Sequence, residues 1–308
     1  MDVMVGSPAR TFISACEVWI PKDGKLVHGG GDYGTKVEFA SISKQTSFEK
    51  GEGLPGKAWE DACPVVLKSF DGSYFARTKE AKLAGLTSAV AVPVFDNSDL
   101  KAVLVLLCSD GGERIGAIEV WEESGGALSL QDGYYGAAKE FEFVSRHTQF
   151  PRGQGLPGGV WAAQTPIMMR DLGSGYRFVR AESAGKAGLT TGIGIPINSP
   201  NGTIYVLTLL SARETPIARR FEIWDARTVK VGPDEAVLLD GICDREGPLW
   251  SEEKERRIAA WQGPLGRALG SGIPVVECKG PGTERYDTFV ALPIHSRGEV
   301  AHIVAWYF

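Results

Sequence analysis

Two arginines, Arg77 and Arg180, hold equivalent places roughly one hundred residues apart. Each follows a tyrosine (Tyr74, Tyr176) and a phenylalanine (Phe75, Phe178). A planar guanidinium beside aromatic faces can fork onto a carboxylate or phosphate, so each arginine is a candidate for holding a small organic or anionic ligand. The plainer reading pairs each arginine with a nearby acid such as Asp71 or Asp171, tying a helix to a sheet, and it is slightly preferred. Trp59 and Trp161 pose a similar choice between pocket wall and core, and their size favours core. The candidate ligand-binding set is therefore Trp59, Tyr74, Arg77, Trp161, Tyr176 and Arg180.

A second chemical possibility lies in GEGLPGKAW (51–59) and its near copy GQGLPGGVW (153–161). A glycine-rich loop entering a helix can cradle an anion on free N–H groups. Phosphate loops need Lys-Ser/Thr after the second glycine, and neither copy has that pair, nor do they match GxGxxG. The expectation is a structural turn, with Pro55 and Pro157 in the first turn of a short helix where a missing N–H costs nothing.

Nucleophilic and metal chemistry find little support. The five cysteines, Cys16, Cys63, Cys108, Cys243 and Cys278, are odd in number and form no CxxC pair, so neither a disulfide framework nor a zinc site is expected. The four histidines do not cluster, and each is read as a surface or capping residue. No catalytic residue, metal or cofactor is assigned. With 33 Lys plus Arg against 38 Asp plus Glu, the net charge of −5 disfavours nucleic acid as a partner. The longest apolar runs, AVLVLL (102–107) and IYVLTLL (204–210), are strand-sized, and the start lacks a basic region before an apolar core. Membrane attachment is not expected, and the address expected by default is the cytoplasm.

What must position the arginines is a repeated framework. Glu17-Val18-Trp19 recurs as Glu119-Val120-Trp121 and as Glu222-Ile223-Trp224. EFASISKQTSFEKGEGLPGKAW (38–59) aligns without a gap with EFEFVSRHTQFPRGQGLPGGVW (140–161). A fainter third copy keeps the order: WQGPLGRALGSGIPVV (261–276), DTFVALPI (287–294), VAHIVAWYF (300–308). The division is 1–112, 113–215 and 216–308, each near the size at which a core becomes self-sufficient. Linkers are short, so the units are expected to pack in fixed relation.

Within each unit a hairpin comes first, turning at Gly24 in the first copy. A short helix follows, marked by Thr35, Phe39 and Ile42 or by Ala138, Phe141 and Ser145. Then come the glycine-rich turn and its helix, a strand after Pro64, Pro166 or Pro274, and a helix over 74–86 or 176–189 closed by Gly85 or Gly188. Two strands finish the unit. The proline inside the first of these, in AVAVPV or GIGIPI, predicts a bulge or an end of pairing. The fold class is α+β: three tandem units, each a mainly antiparallel sheet with helices packed on it.

The runs GEGLPGKAW…PVVLKSF…YFARTKEAKLAGLTSAVAVPV and GQGLPGGVW…PIMMRDL…YRFVRAESAGKAGLTTGIGIPI resemble the GAF domain family. The resemblance covers most of the first two units and about half of a degenerate third. It implies a six-stranded antiparallel sheet with a pocket on one face roofed by loops and short helices. It also implies a small-molecule-binding sensor or regulatory module that acts through a protein partner or self-association. The long helices that bracket such sheets are shortened or missing here, which argues against the family's long-helix dimer. The interval Pro274 to Pro293 is much shorter than its counterparts, so the pocket-side helix is expected to be largely deleted and the third unit not to bind ligand. An interaction scaffold with vestigial pockets is the alternative. One group in the family reduces free methionine sulfoxide with a cysteine in the glycine turn. Pro55 and Pro157 stand there in this chain, and Cys63 is out of position.

Overall fold

The computed structural model describes residues 11–109, 113–174, 177–227, 234–250, 255–278 and 286–308. The first unit runs β1 (Ile13–Lys22), β2 (Lys25–Asp32), α1 (Val37–Gln45), β3 (Ser47–Phe48), α2 (Gly53–Asp61), β4 (Val65–Leu67), α3 (Thr78–Leu83), β5 (Ser88–Asp96) and β6 (Asp99–Cys108). The second repeats it as β7 (Ile115–Ser124), β8 (Ala127–Gly136), α4 (Lys139–Arg146), β9 (Gln149–Pro151), α5 (Gly155–Ala163), β10 (Ile167–Arg170), α6 (Ala181–Ala187), β11 (Leu189–Ile197) and β12 (Tyr205–Ala212). The third has β13 (Arg220–Asp225), β14 (Glu235–Cys243), β15 (Gly247–Pro248), β16 (Arg257–Ala259), α7 (Gly263–Ser271), β17 (Val275–Cys278), β18 (Thr288–Ser296) and β19 (Glu299–Tyr307).

The strand order β3-β2-β1-β6-β5-β4 recurs as β9-β8-β7-β12-β11-β10, and the third sheet follows it as β14-β13-β19-β18-β17. All pairings are antiparallel. The third sheet differs at its hairpin edge, where both β15 and β16 pair with β14.

Each sheet is buried on both faces, which explains why its central strands read as continuous apolar runs. Along β6, Val103, Val105 and Leu107 pack under the unit's own helices, while Leu104, Leu106 and Cys108 point the other way. That second face meets its counterparts: Val18 and Leu106, Ile193 and Leu207, and Val290, Val304 and Trp306 belong to one core shared by all three units. Three further cores lie beneath the helices, one per unit.

The units close head to tail. Lys68, just past β4, pairs with Asp132 on β8, and Arg170 on β10 pairs with Asp240 on β14, in corresponding positions. At the third junction Cys278 Sγ on β17 lies 2.9 Å from Asp32 Oδ1 at the end of β2, and Thr288 Oγ1 donates to the same carboxylate. Three heterologous contacts thus complete a ring with a pseudo-threefold axis through the shared core.

The prolines find a simple solution. Pro93 keeps its place opposite Val103 on β6, but the last residue of β5 facing β4 is Ala91. Pro196 and Pro293 likewise lie two residues beyond Gly194 and Ala291, where the edge strands β10 and β17 stop. Pairing to one side ends before the missing N–H would be needed.

The glycine-rich turn is structural in all three units. The N–H of Gly51, Gly153 and Trp261 donates to the carbonyl of Gly56, Gly158 and Gly266 at 2.8, 2.7 and 2.6 Å. A Cβ on Gly158 would lie 2.2 Å from the backbone oxygen of Pro151, whereas one on neighbouring Gly159 would meet only Ile167 Cδ1 at 3.3 Å. Gly158→Ala is therefore expected to cost about 1–3 kcal/mol, the usual range for forced overpacking. Gly159→Ala is expected to be tolerated; urea unfolding of the two variants checks the contrast.

Candidate functional site

The repeated Glu-x-Trp is the seed of a buried network. Residues two apart on a strand share a face. Trp19, Trp121 and Trp224 each donate the indole N–H to the glutamate two positions earlier, at 3.1, 3.1 and 3.0 Å. Glu17 and Glu119 are fully buried, and Glu222 nearly so. A carboxylate there is tolerable only with a charge partner and filled hydrogen bonds.

That partner is the candidate arginine. Arg77 grips Glu17 with both terminal nitrogens, Nη2 to Oε2 at 2.8 Å, and Nη1 also donates to Ser43 on α1. Arg180 does the same to Glu119, Nη2 to Oε2 at 2.9 Å, with Ser145 on α4. Both arginines are 3% exposed. Four rings surround each guanidinium: Trp19, Phe39, Phe48 and Phe75 at 4.8–5.7 Å in one unit, and Trp121, Phe141, Phe150 and Phe178 at 4.6–5.4 Å in the other. Glu119 also accepts from Tyr135 Oη at 3.0 Å and Thr208 Oγ1 at 2.7 Å. Burial alone would push both glutamates up, but the facing arginine and the donated hydrogen bonds prevail and hold each carboxyl below its ordinary value.

The arginines thus do pair internally, but not with Asp71 or Asp171. Asp71 makes a surface pair with Lys82, and Asp171 accepts a hydrogen bond through its backbone oxygen from Ser174. The helices expected over 74–86 and 176–189 begin only at Thr78 and Ala181. Arg77 and Arg180 take non-helical backbone angles immediately before them and turn inward. Trp161 is buried in the second unit's core, while Trp59 packs half-buried at the margin of the first. Tyr74 is exposed, on the outside of α2 near Lys57 and Asp61 and not among the rings around Arg77. Tyr176 lies outside the described residues.

The third unit solves the same problem differently. Residues 279–285, where its shortened pocket-side segment falls, lie outside the described residues. Glu222 is held from its own strand by Arg220, Nε to Oε1 at 2.8 Å, and by Tyr307 Oη at 2.9 Å. Sequence reasoning used the glutamates only as repeat markers. The signal that would have found them is an acid at a core-facing position of an otherwise apolar strand, three times over.

The histidines depart from expectation. His147 does cap a helix, Nδ1 lying 2.7 Å from the Phe143 carbonyl oxygen, but His295 and His302 are buried. Neither ring nitrogen of His302 has a hydrogen-bond partner. Burial lowers its pKa to about 4, against the upward pull of Asp225 opposite it on β13. With the folded value below the ordinary 6.5, the unfolded chain binds more protons between pH 6.5 and 4. Stability present above pH 6.5 is therefore lost as pH falls toward 4, by up to about 3 kcal/mol at about 1.4 kcal/mol per unit. His302→Leu is expected to flatten that segment of the stability curve, read by denaturant unfolding across pH 4–7.

Burial raises the pKa of Cys63, whose Sγ lies 3.9 Å from Gln131 of the second unit. That is the wrong direction for a thiolate nucleophile. Among the described residues no group of His, Cys, Asp or Glu could hold a metal ion, and no helix is long and apolar enough to cross a membrane.

Each of the first two units is therefore a six-stranded antiparallel sheet roofed on one face by short helices, entered through the same glycine turn. This is the architecture that the resemblance to GAF domains implies. No protein-family model matches the sequence, and no curated protein does. Solved structures to which the chain is similar include the A. aeolicus nlh2 GAF domain in an inactive state, at 22% identity over 32% of this chain and 58% of that one, with a TM-score of 0.27. A free methionine-R-sulfoxide reductase from Neisseria meningitidis in complex with its substrate matches at 17% identity over 31% and 52%, TM-score 0.25. A GAF domain/HD domain protein from Geobacter sulfurreducens matches at 16% identity over 32% and 65%, TM-score 0.27. The chain thus spans less than two thirds of these structures' own lengths.

Proposed function

We propose that this chain is a non-catalytic regulatory module of three GAF-like units that acts through contacts with another protein. The observation that carries the reading is the same in units one and two. On the helix-roofed face where the resemblance implies a ligand, the arginine is already committed to a glutamate inside an aromatic cage. A carboxylate ligand there would have to expel Glu17 or Glu119 into an apolar surround, at the cost of leaving it unpaired.

A second reading keeps those faces as ligand sensors. It draws support from the matched donor sets of Arg77 and Arg180, which a ligand carboxylate could take over from the glutamate. The two readings part in a thermal-shift panel of nucleotides, sulfoxides and small carboxylic acids on the wild type and on E17Q/R77M. The scaffold reading expects no compound whose stabilisation depends on the pair, together with a saturable partner recovered by cross-linking in the native source. A compound that stabilises the wild type and not the double variant would reinstate the sensor reading.

A further inference from the structure

The turns that join β5 to β6, β11 to β12 and β18 to β19 meet at one end of the shared core, next to Pro93, Pro196 and Pro293. Beside them opens a cleft of about 300 Å³ lined by residues from all three units, among them Asp96, Asn198, Thr203, Tyr205, His295 and Arg297. That volume is at the small end of the usual range for small-molecule sites. It shares no lining residue with the arginine cages and is independent of how those are read.

His295 decides what the cleft wants. The side chain is 6% exposed, and Nε2 lies 2.8 Å from the carbonyl oxygen of Gly272. A carbonyl only accepts, so Nε2 carries a proton, and in the singly protonated ring Nδ1 is a bare acceptor. Nδ1 is buried with no hydrogen-bond partner. Asp96 Oδ2, another acceptor, lies 3.9 Å from it. Asp96 Oδ1 takes a hydrogen bond from Asn97 at 3.2 Å, but Lys101 Nζ stands 3.8 Å from Oδ2, beyond hydrogen-bond range. In that tautomer two acceptors face each other with no proton between them, and a primary ammonium, which donates more than once and carries the opposite charge to the carboxylate, satisfies both. Arg297 lines the same cleft, with no acid paired to it among the described residues, and offers a fork for a carboxylate.

We infer that this inter-unit cleft binds a small zwitterion of the amino-acid class, its ammonium between Asp96 and His295 and its carboxylate toward Arg297. Because Asp96 belongs to the first unit, Asn198 to the second and His295 to the third, such a ligand ties the three turns together.

The test uses the full chain with ¹⁵N-labelled histidine, His295 being assigned by its loss in His295→Gln, and follows the ring nitrogens while L-serine, ethanolamine or acetate is added at pH 7.5. Expected are a neutral His295 protonated at Nε2, a saturable Nδ1 shift with L-serine, weaker binding of ethanolamine and none of acetate. In Asp96→Asn, whose side chain is near the surface, serine affinity should fall at least about tenfold while the melting temperature holds. A cationic His295 in the free protein would overturn the inference. So would no saturable shift up to about 50 mM serine, ethanolamine or acetate binding as well as serine, or an undiminished affinity in Asp96→Asn.

Discussion

Arg180→Met is expected to lower stability by about 3–5 kcal/mol, the range found when one partner of a buried ion pair is removed and the other charge stays behind. Glu119 would then sit fully buried with only the neutral donors Trp121, Tyr135 and Thr208. The caging rings would lose the cation they surround. Arg77→Met is expected to act alike through Glu17. The decisive comparison is E119Q/R180M, in which no charge is stranded; it should recover most of the loss. A double-mutant cycle by urea unfolding measures this, and equal instability of the single and double variants would contradict the pairing as the source of the effect. The acid limb gives an independent readout. Because Glu119 is held below the ordinary carboxylate value, its contribution is present above about pH 4.5 and is lost as pH falls through the folded value. The double variant should lack that part of the acid transition.

The second large effect concerns the shared core. Residues 1–112 expressed alone are expected not to fold stably, although they contain a complete sheet and its helices. Excision would expose Val18, Val92, Leu104 and Leu106, all at most 2% exposed in the ring, as one contiguous apolar face. A patch of that kind drives aggregation. The intact chain should instead unfold in one transition, because no unit's inward face is covered by its own residues. Circular dichroism and sedimentation of the fragment check the first expectation, and coincident thermal transitions by fluorescence and circular dichroism check the second. A monomeric, cooperatively folding fragment would refute both.

Much of the fold was legible because the chain states it three times. The glycine turn, its proline, the short helices and the strand after Pro64 each follow from local chemistry that copies reinforce. The network at Glu17 was not legible, for a physical reason. Arg77 has acids nearby in sequence, and only tertiary structure reveals that Glu17, sixty positions upstream, is the one beneath it. α3 starts only at Thr78 because Arg77 is its N-cap, with backbone angles outside the helical range. Nor could the run AVLVLL reveal that its second face meets two other sheets. Periodicity reports that a strand is buried on both sides and is silent about what buries it. His302 was misread because a lone histidine in an apolar strand carries no mark of its burial.

Ring closure also limits how many copies such a chain can hold. The outer strands β4, β10 and β17 each lie against the next unit, so a fourth duplicate would find no vacant berth, and two duplicates would leave a wedge-shaped gap. Three is a geometric quota. Once it is filled within one polypeptide, the members no longer need to be identical, and this is the freedom by which the last of them came to neutralise Glu222 with a residue from its own strand.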